Sequence, residues 1–428
     1  MLRAPPVASA RRSLITRRRI QLAGALIVGA MLPYLIRRVF WPSTGGETSS
    51  LNALAGNGAA IILVMWVRMS VETFPGVRAS AFNLPVASIC HMAVMVFILL
   101  LRLDYDRAAL LSGYLLHLLW LYILYFAVQR RSRPSIAIVP WGRVQRLKSI
   151  TTVDWLTMHE PRLDHVARFD AIVADFGDDL PPEWERFLAD AAVDGRIVYQ
   201  VKQLAESLTG RVEIDHISEN SFGSLVPARA YFHFKEVADL LFSILVLPLI
   251  MPILGAAALA VAAQRDGPVF FRQRRIGHAG QPIEILKFRT MRKSDLSAGD
   301  DPRTVAMTRD GDDRITRVGT FLRRTRIDEL PQIWNVLKGE MSWIGPRPEA
   351  EVLSTWYTDN IPFYRYRHVV KPGISGWAAV NQGHVANVED VHLKLQYDFY
   401  YIKYFSSWLD LLIAFRTVKT VLSGFGAR

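Results

Sequence analysis

A single cysteine, Cys90, is all that 428 residues carry, and it lies in an apolar stretch. One thiol can neither close an internal disulfide nor build a thiolate metal cluster, so a disulfide-stapled fold is excluded and Cys90 reads as a packing residue. Glycine-rich phosphate loops are missing as well. Where a dinucleotide fingerprint would need several glycines to let backbone approach a pyrophosphate, the chain reads Val139-Pro140-Trp141-Gly142-Arg143-Val144. No internal repeat or low-complexity block stands out. Acidic residues are in deficit: 39 Asp and Glu face 51 Lys and Arg, a formal charge of +12. That balance suits nucleic acid, acidic lipid headgroups or phosphorylated substrates.

What the chain has in excess is apolar residues, 51% of the total. Four apolar stretches fill its first third, at 20–36, 51–67, 84–101 and 108–128. Each is near the roughly 20 residues that cross a bilayer. Arg11, Arg12, Arg17, Arg18 and Arg19 precede the first, and Arg130, Arg131 and Arg133 follow the fourth. An even count of spans with basic flanks keeps both ends cytoplasmic, although Arg37 and Arg38 fall on the wrong side. Positive-inside loops account for part of the basic charge, so no nucleic-acid partner is expected. The basic start also resembles a signal peptide, and Thr16-Arg17-Arg18 resembles a twin-arginine signal, but no small-residue cleavage site follows and three more apolar segments do.

From Pro134 to about Pro227 the pattern changes to short β-rich runs, 136–139, 170–176 and 196–201, separated by helical composition such as 183–192. Strands alternating with helices predict a small parallel α/β layer. A fifth apolar run, 240–263, carries Pro248 and Pro252. Each proline deletes a helical hydrogen bond, which favours a segment that bends and re-enters over an ordinary spanning helix.

The chemistry concentrates at 320–349. Arg323, Arg324, Arg326, Asp328 and Glu329 lie within seven positions. Pro331 suits a first helical turn, Leu330, Ile333, Trp334 and Leu337 fall on one face, and Gly339 ends the run. Asp328 and Glu329 thereby sit at a helix N-terminus, where free N–H groups stabilise anions and nearby arginines add phosphate contacts. An isolated Asp-Glu pair at such a position is ordinarily a helix cap.

Five separated blocks change that reading: Gly267-Pro268-Val269-Phe270-Phe271-Arg272-Gln273, Lys287-Phe288-Arg289-Thr290-Met291, the Arg323 to Pro348 run, Lys371-Pro372-Gly373-Ile374-Ser375-Gly376-Trp377, and Tyr397-Asp398-Phe399-Tyr400-Tyr401. In this order they resemble the bacterial sugar transferases, monotopic phosphoglycosyl transferases that start glycan assembly on polyprenyl phosphate. The match covers about 231–428; before it the likeness is one of architecture alone.

The resemblance implies three parts. A transmembrane bundle of four helices occupies 1–133, and a Rossmann-like α/β domain on the cytoplasmic side occupies 134–228. An α-rich α+β catalytic domain, with a re-entrant helix at about 235–263, occupies 231–428. It implies a multi-pass protein of the bacterial inner membrane whose catalytic domain faces the cytoplasm, acting at the first membrane step of exopolysaccharide, capsule or O-antigen synthesis. Its partners would be a UDP-sugar, polyprenyl (undecaprenyl) phosphate and membrane lipids, and a homodimer is compatible with it.

By the same resemblance Asp328 attacks the β-phosphorus of the UDP-sugar, expels UMP and carries a covalent sugar phosphate until polyprenyl phosphate takes it. Glu329 is the second acid of the dyad, serving the acceptor or the metal. Mg²⁺ is the implied cofactor, with Asp328 its protein ligand, and Lys287, Arg289, Arg323, Arg347 and Asp398 are the implied substrate-binding residues. The family has Ser-Pro at many re-entrant bends, where this chain has Met251-Pro252.

At the C-terminus, Trp408, Leu412, Phe415 and Leu422 recur at helical spacing, which suits a helix on the membrane surface or one in the core. Two other functions compete. Asp310-Gly311-Asp312 offers the metal-binding triplet of a conventional carbon-transfer glycosyltransferase, and a membrane sensor could bind a nucleotide sugar without turnover, against which the intact Asp328 and Glu329 argue.

Overall fold

The computed structural model describes residues 18–40, 46–71, 80–129, 134–162, 169–212, 227, 229–265, 267–292, 314–382 and 388–423. They form two compact units, Met1–Gly210 and Arg211–Arg428. Arg11, Arg12, Arg17, Arg130, Arg131, Arg133 and Asp310-Gly311-Asp312 lie outside the described residues.

Each of the first unit's apolar runs folds as a helix: α1 (Arg18–Phe40), α2 (Gly46–Val71), α3 (Ser80–Leu100) and α4 (Arg107–Leu124). All four are long and apolar enough to cross a membrane. Their outward faces carry large apolar side chains such as Ile62, Met92 and Leu111, whereas Asn57 is buried and donates to the Ala109 carbonyl at 3.0 Å. Such an inside-out distribution suits helices surrounded by lipid. Arg37, which weighs against an even-count orientation, is compensated locally: its Nε meets Asp106 Oδ2 at 2.8 Å, while Asp106 Oδ1 caps α4 through the N–H groups of Ala108 and Ala109.

The rest of this unit is a four-stranded parallel sheet, β1 (Ser135–Ile138), β2 (Asp154–Thr157), β3 (Ala171–Ala174) and β4 (Val198–Gln200), in the order β2-β1-β3-β4, with helices α5 (Pro182–Val193) and α6 (Val201–Thr209). Strand alternation divides its core. Ala137, Val139, Ile172 and Ala174 pack on Trp184, Phe187, Leu188 and Ala191 of α5, and Ile136, Ile138, Ala171 and Val173 pack on Val144, Leu147 and Leu204 on the other face. The sequence missed β2, an edge strand whose half-exposed Asp-Trp-Leu-Thr lacks a continuous apolar run. Beyond β1, Gly142 (φ +77°) brings the Arg143 N–H to Asp175 Oδ2 at 2.9 Å. A carboxylate of the chain itself thus takes the amide that a nucleotide loop would offer to phosphate.

The second unit runs α7 (Arg229–Ala262), the antiparallel hairpin β5 (Phe270–Ile276) and β6 (Pro282–Phe288), α8 (Arg317–Arg324), a 3-10 turn (Ile327–Gln332) leading into α9 (Ile333–Leu337), β7 (Ser342–Ile344), α10 (Glu351–Asn360), a second 3-10 turn (Tyr364–Val369), β8 (Gly373–Ser375), α11 (Trp377–Asn381), α12 (Val388–Lys403) and α13 (Ser407–Ser423). β7 and β8 pair in parallel.

α7 is continuous through Pro248 and Pro252, and both of its ends pack on this unit. Near its start, Lys235, Asp239 and Ser243 form one stripe at i, i+4, i+8. Lys235 Nζ meets Asp410 Oδ2 at 2.6 Å, Ser342 Oγ donates to Asp239 at 2.6 Å, and Trp343 Nε1 donates to Ser243 at 2.8 Å. Near its end, Ala257 and Val261 pack on Phe288 and Leu322.

One expectation is overturned by packing. The face predicted from Leu330, Ile333, Trp334 and Leu337 is wrong: Ile333, Asn335 and Val336 are buried, and Trp334 is 55% exposed. The helical region starts four residues early, at Ile327, and its 3-10 turn advances about 120° per residue, which rotates the buried face. In the C-terminal helix α13, Leu409, Leu412 and Ile413 are buried, whereas Trp408 and Phe415 of the predicted stripe are half-buried.

Candidate active site

Asp328 and Glu329 are aimed by the turn that joins α8 to α9. Thr316 Oγ1 caps α8, accepting from Gly319 N at 2.9 Å. Gly319 is required by close approach, because a Cβ there would stand 2.1 Å from the Thr290 carbonyl oxygen. The helix stops at Arg326, whose left-handed backbone (φ +60°) costs about 1–2 kcal/mol for a non-glycine residue. That reversal places Asp328 and Glu329 in the first turn of the 3-10 segment, 8% and 5% exposed.

Glu329 is saturated with cations. Arg347 grips it with both ends of its guanidinium, Nη2 to Oε1 at 2.5 Å and Nη1 to Oε2 at 3.2 Å. Lys287 Nζ, from β6, reaches Oε1 at 3.3 Å, and Arg326 Nη1 stands 3.9 Å away. Burial alone would raise the pKa of Glu329, but the charges of Arg347 and Lys287 outweigh it and hold the carboxyl well below its usual range. Burial draws the Lys287 ammonium down, with Glu329 opposing.

Asp328 is the opposite case. Burial and then the adjacent Glu329 charge push it up to about 6, against Lys287, Arg347 and Arg323. Its Oδ1 is buried without a hydrogen-bond partner. The pair therefore divides into a clamped carboxylate and one with a partnerless oxygen near Lys287, Arg347 and Arg323, an arrangement that suits an oxygen nucleophile for phosphorus.

The structure thus brings together Asp328, Glu329, Lys287 and Arg347, with Arg323 electrostatically close to Asp328. Arg289 stands apart from the Glu329 contacts. Its guanidinium lies against Gly267, where a Cβ would be 2.4 Å from Nη1, and Nη1 is buried without a hydrogen-bond partner. Asp398 is 1% exposed and its Oδ2 accepts from Arg367 Nε and Nη2 at 3.1 and 2.7 Å.

The sequence did not single out four charged residues around this cluster: Arg275, Glu349, Arg367 and Lys394. Lys394 pairs with Glu349, and although burial would raise that carboxyl, Lys394 and Arg367 bring it down to about 2. A weak signal for Arg367 existed in the spacing of Tyr364, Arg367 and Val370, which share one side of the Tyr364–Val369 turn and are buried, whereas Arg365 is exposed.

No group of three His, Cys, Asp or Glu that could hold a metal occurs among the described residues. Mg²⁺ does not need one, since it is commonly held by one or two carboxylates together with substrate phosphates. The partnerless Oδ1 of Asp328 fits that pattern, whereas both oxygens of Glu329 are already taken by Arg347 and Lys287.

Residues 230–424 match the family model described as bacterial sugar transferase. An Aeromonas hydrophila protein named UDP-N-acetylgalactosamine-undecaprenyl-phosphate N-acetylgalactosaminephosphotransferase is 43% identical over 379 residues, 88% of each chain. UDP-glucose:undecaprenyl-phosphate glucose-1-phosphate transferases are similar over a shorter stretch. The one from Escherichia coli K12 is 43% identical over 43% of this chain and 39% of its own length. The one from Caulobacter vibrioides is 42% identical over 44% of this chain and 70% of its own length.

Proposed function

The chain belongs to the bacterial sugar transferase family, and we propose that it moves a sugar-1-phosphate from a UDP-sugar to undecaprenyl phosphate with release of UMP, through a covalent intermediate on Asp328. The observation that carries this reading is the buried carboxylate of Asp328, with one oxygen lacking a hydrogen-bond partner, beside a cluster of cations.

In the first step an Asp328 oxygen attacks the β-phosphorus. The bond from that phosphorus to the oxygen bridging the α-phosphate breaks, UMP leaves, and an acyl phosphate to the sugar remains. In the second step an oxygen of undecaprenyl phosphate attacks the same phosphorus and Asp328 departs as a carboxylate. The C1–O bond of the sugar is never broken, so its anomeric configuration is retained.

Lys287, Arg323 and Arg347 supply fixed positive charge to the diphosphate, and Arg289, with its partnerless buried nitrogen, suits a phosphate oxygen of the donor. Glu329, clamped well below its usual pKa, is a poor proton acceptor in this state and serves to hold Arg347 and Lys287 in place. Mg²⁺, held by Asp328 and the donor phosphates, would neutralise charge on the diphosphate.

For the donor we propose UDP-N-acetylgalactosamine, because the relative named for it aligns along both units, whereas the glucose-transferring one from Escherichia coli aligns over 43% of this chain. The product would be a lipid-linked sugar that begins a surface glycan. We also infer that α7 enters the membrane without crossing it and that catalysis occurs on the cytoplasmic face. Residues 239 and 259 stand about 30 Å apart along the continuous α7, and the catalytic unit packs on both stretches, 235–243 and 257–261, so a spanning α7 would place parts of that unit on both sides of the hydrocarbon.

The test is to incubate purified protein with Mg²⁺ and UDP-N-acetylgalactosamine labelled in the sugar. UMP release with label retained on the Asp328 peptide is expected, and both should vanish in Asp328→Asn. Release of UDP would point to transfer at the sugar carbon, and full activity of Asp328→Asn would end the covalent account.

A further inference from the structure

The segment carrying Arg347 is held by an unusual device. Residues 346–349 read Pro-Arg-Pro-Glu, so two of the four have no N–H with which to join a ladder. Each of their carbonyls nevertheless has a donor. Pro346 O accepts from Gly373 N at 3.0 Å and Glu349 O from Ile276 N at 3.1 Å. The two carbonyls between them are held by guanidinium groups: Arg347 O accepts from Arg367 Nη2 at 2.9 Å, and Pro348 O accepts from Arg275 Nη1.

Both guanidinium groups are themselves immobilised. Arg367, 3% exposed, places Nε and Nη2 on Asp398 Oδ2 and Nη1 on Tyr364 OH at 3.0 Å. Arg275 places Nε and Nη2 on Gln273 Oε1 at 3.1 and 2.9 Å. Arg367 is buried and Arg275 half-buried, and a cationic side chain removed from water to hold a backbone carbonyl needs an explanation.

We propose that Arg275 and Arg367, and Asp398 acting through Arg367, are positioning residues whose task is to fix where Arg347 stands. The proposal rests on the covalent reading of Asp328. Arg347 grips both oxygens of Glu329, and Glu329 is the immediate neighbour of Asp328, so a displacement of its backbone shifts the charge facing the reacting phosphorus. Misplacement by about 1 Å can cost on the order of a hundredfold in rate. Asp398 sits deep under this mount and acts on the chemistry only through Arg367.

The experiment compares Arg275→Lys and Arg367→Lys, each alone and combined with Arg347→Lys. Lysine keeps the charge but cannot fork to two acceptors in one plane. Label retained on Asp328 counts folded, competent sites, and the initial rate of UMP release divided by that count gives the rate per site. The expected result is a per-site rate lower by about tenfold to a hundredfold in each single variant, with KM for the nucleotide sugar within about threefold of wild type, because Arg347 is still present in both and keeps its charge near the diphosphate while losing its alignment with the reacting phosphorus. In the Arg347→Lys background the second substitution should add less than about twofold, as residues acting through one another are non-additive.

A loss of labelled sites with an unchanged rate per site would reduce both arginines to structural roles and overturn the proposal. Losses that multiply in the double variants would overturn it equally. If the wild type itself releases UMP without any label on Asp328, the covalent reading fails and this inference falls with it; label in the wild type with normal per-site rates in the variants sinks the inference alone.

Discussion

Replacing Asp328 by Asn should abolish turnover and at the same time stabilise the protein, by an amount that depends on pH in a defined direction. Burial and the Glu329 charge push the Asp328 carboxyl from 3.8 up to about 6 in the folded chain. Between those two values the unfolded chain carries the charge and the folded chain does not. The contribution of Asp328 to stability therefore falls as pH rises from about 4 to about 6 and is flat above, since both states are then ionised. At about 1.36 kcal/mol per unit, the displacement is worth at most about 3 kcal/mol.

Asn cannot ionise and escapes this cost. Relative to wild type, Asp328→Asn should show an advantage of about 1 kcal/mol at pH 4.5 and a plateau of up to about 3 kcal/mol at pH 7 and above, which for a chain of this size is a rise in apparent Tm of a few degrees. Tryptophan fluorescence during heating in one detergent, without nucleotide sugar or Mg²⁺, reads both proteins at pH 4.5, 5.5, 6.5 and 7.5. The same ionisation should appear in the wild-type rate: kcat/KM for UMP release falls tenfold per unit below about pH 6. A constant difference in Tm across the series, or a variant less stable at pH 7.5 than at pH 4.5 relative to wild type, would refute the account, for it would mean that the cations over-compensate the burial of Asp328.

Other outcomes follow from the packing. Gly373→Ala should cost well over about 1–3 kcal/mol and leave little folded catalytic unit, since its Cβ would lie 2.1 Å from the Gly345 nitrogen; limited proteolysis of membranes reads the loss. Lys287→Met should lower kcat/KM about a hundredfold or more with Asp328 still present, and Lys287→Arg should recover part of it, both measured by UMP release. In a Cys90→Ser background, a cysteine at Arg272, whose side chain is 69% exposed, should react with a membrane-impermeant maleimide in inverted vesicles and not in intact cells; reaction in intact cells would exclude the re-entrant arrangement of α7.

The sequence by itself determined a great deal here. Apolar runs near the length of a bilayer crossing located α1 to α4, because lipid leaves no alternative to a closed backbone ladder. Alternating short β-runs located three strands of the parallel sheet, and the block from Arg323 to Pro348 located the candidate site, a pair of carboxylates among cations. Local pattern fails where a contact spans the chain. Nothing near Asp398 in sequence says that its partner is Arg367, nothing in Pro-Arg-Pro says that its carbonyls rest on Arg275 and Arg367, and the phase of α9 was set by a 3-10 turn that periodicity at 3.6 residues cannot register.

The division of labour between the two acids was likewise decided only in three dimensions. Asp328 and Glu329 are chemically near-equal neighbours in the chain. Folding brings the guanidinium of Arg347 and the ammonium of Lys287 onto one of them and leaves an oxygen of the other without a hydrogen-bond partner. Charge separation of that kind depends on distances of a few ångströms between distant segments, and those distances exist only once the β5–β6 hairpin, the turn before α9 and the proline-flanked Arg347 have packed together.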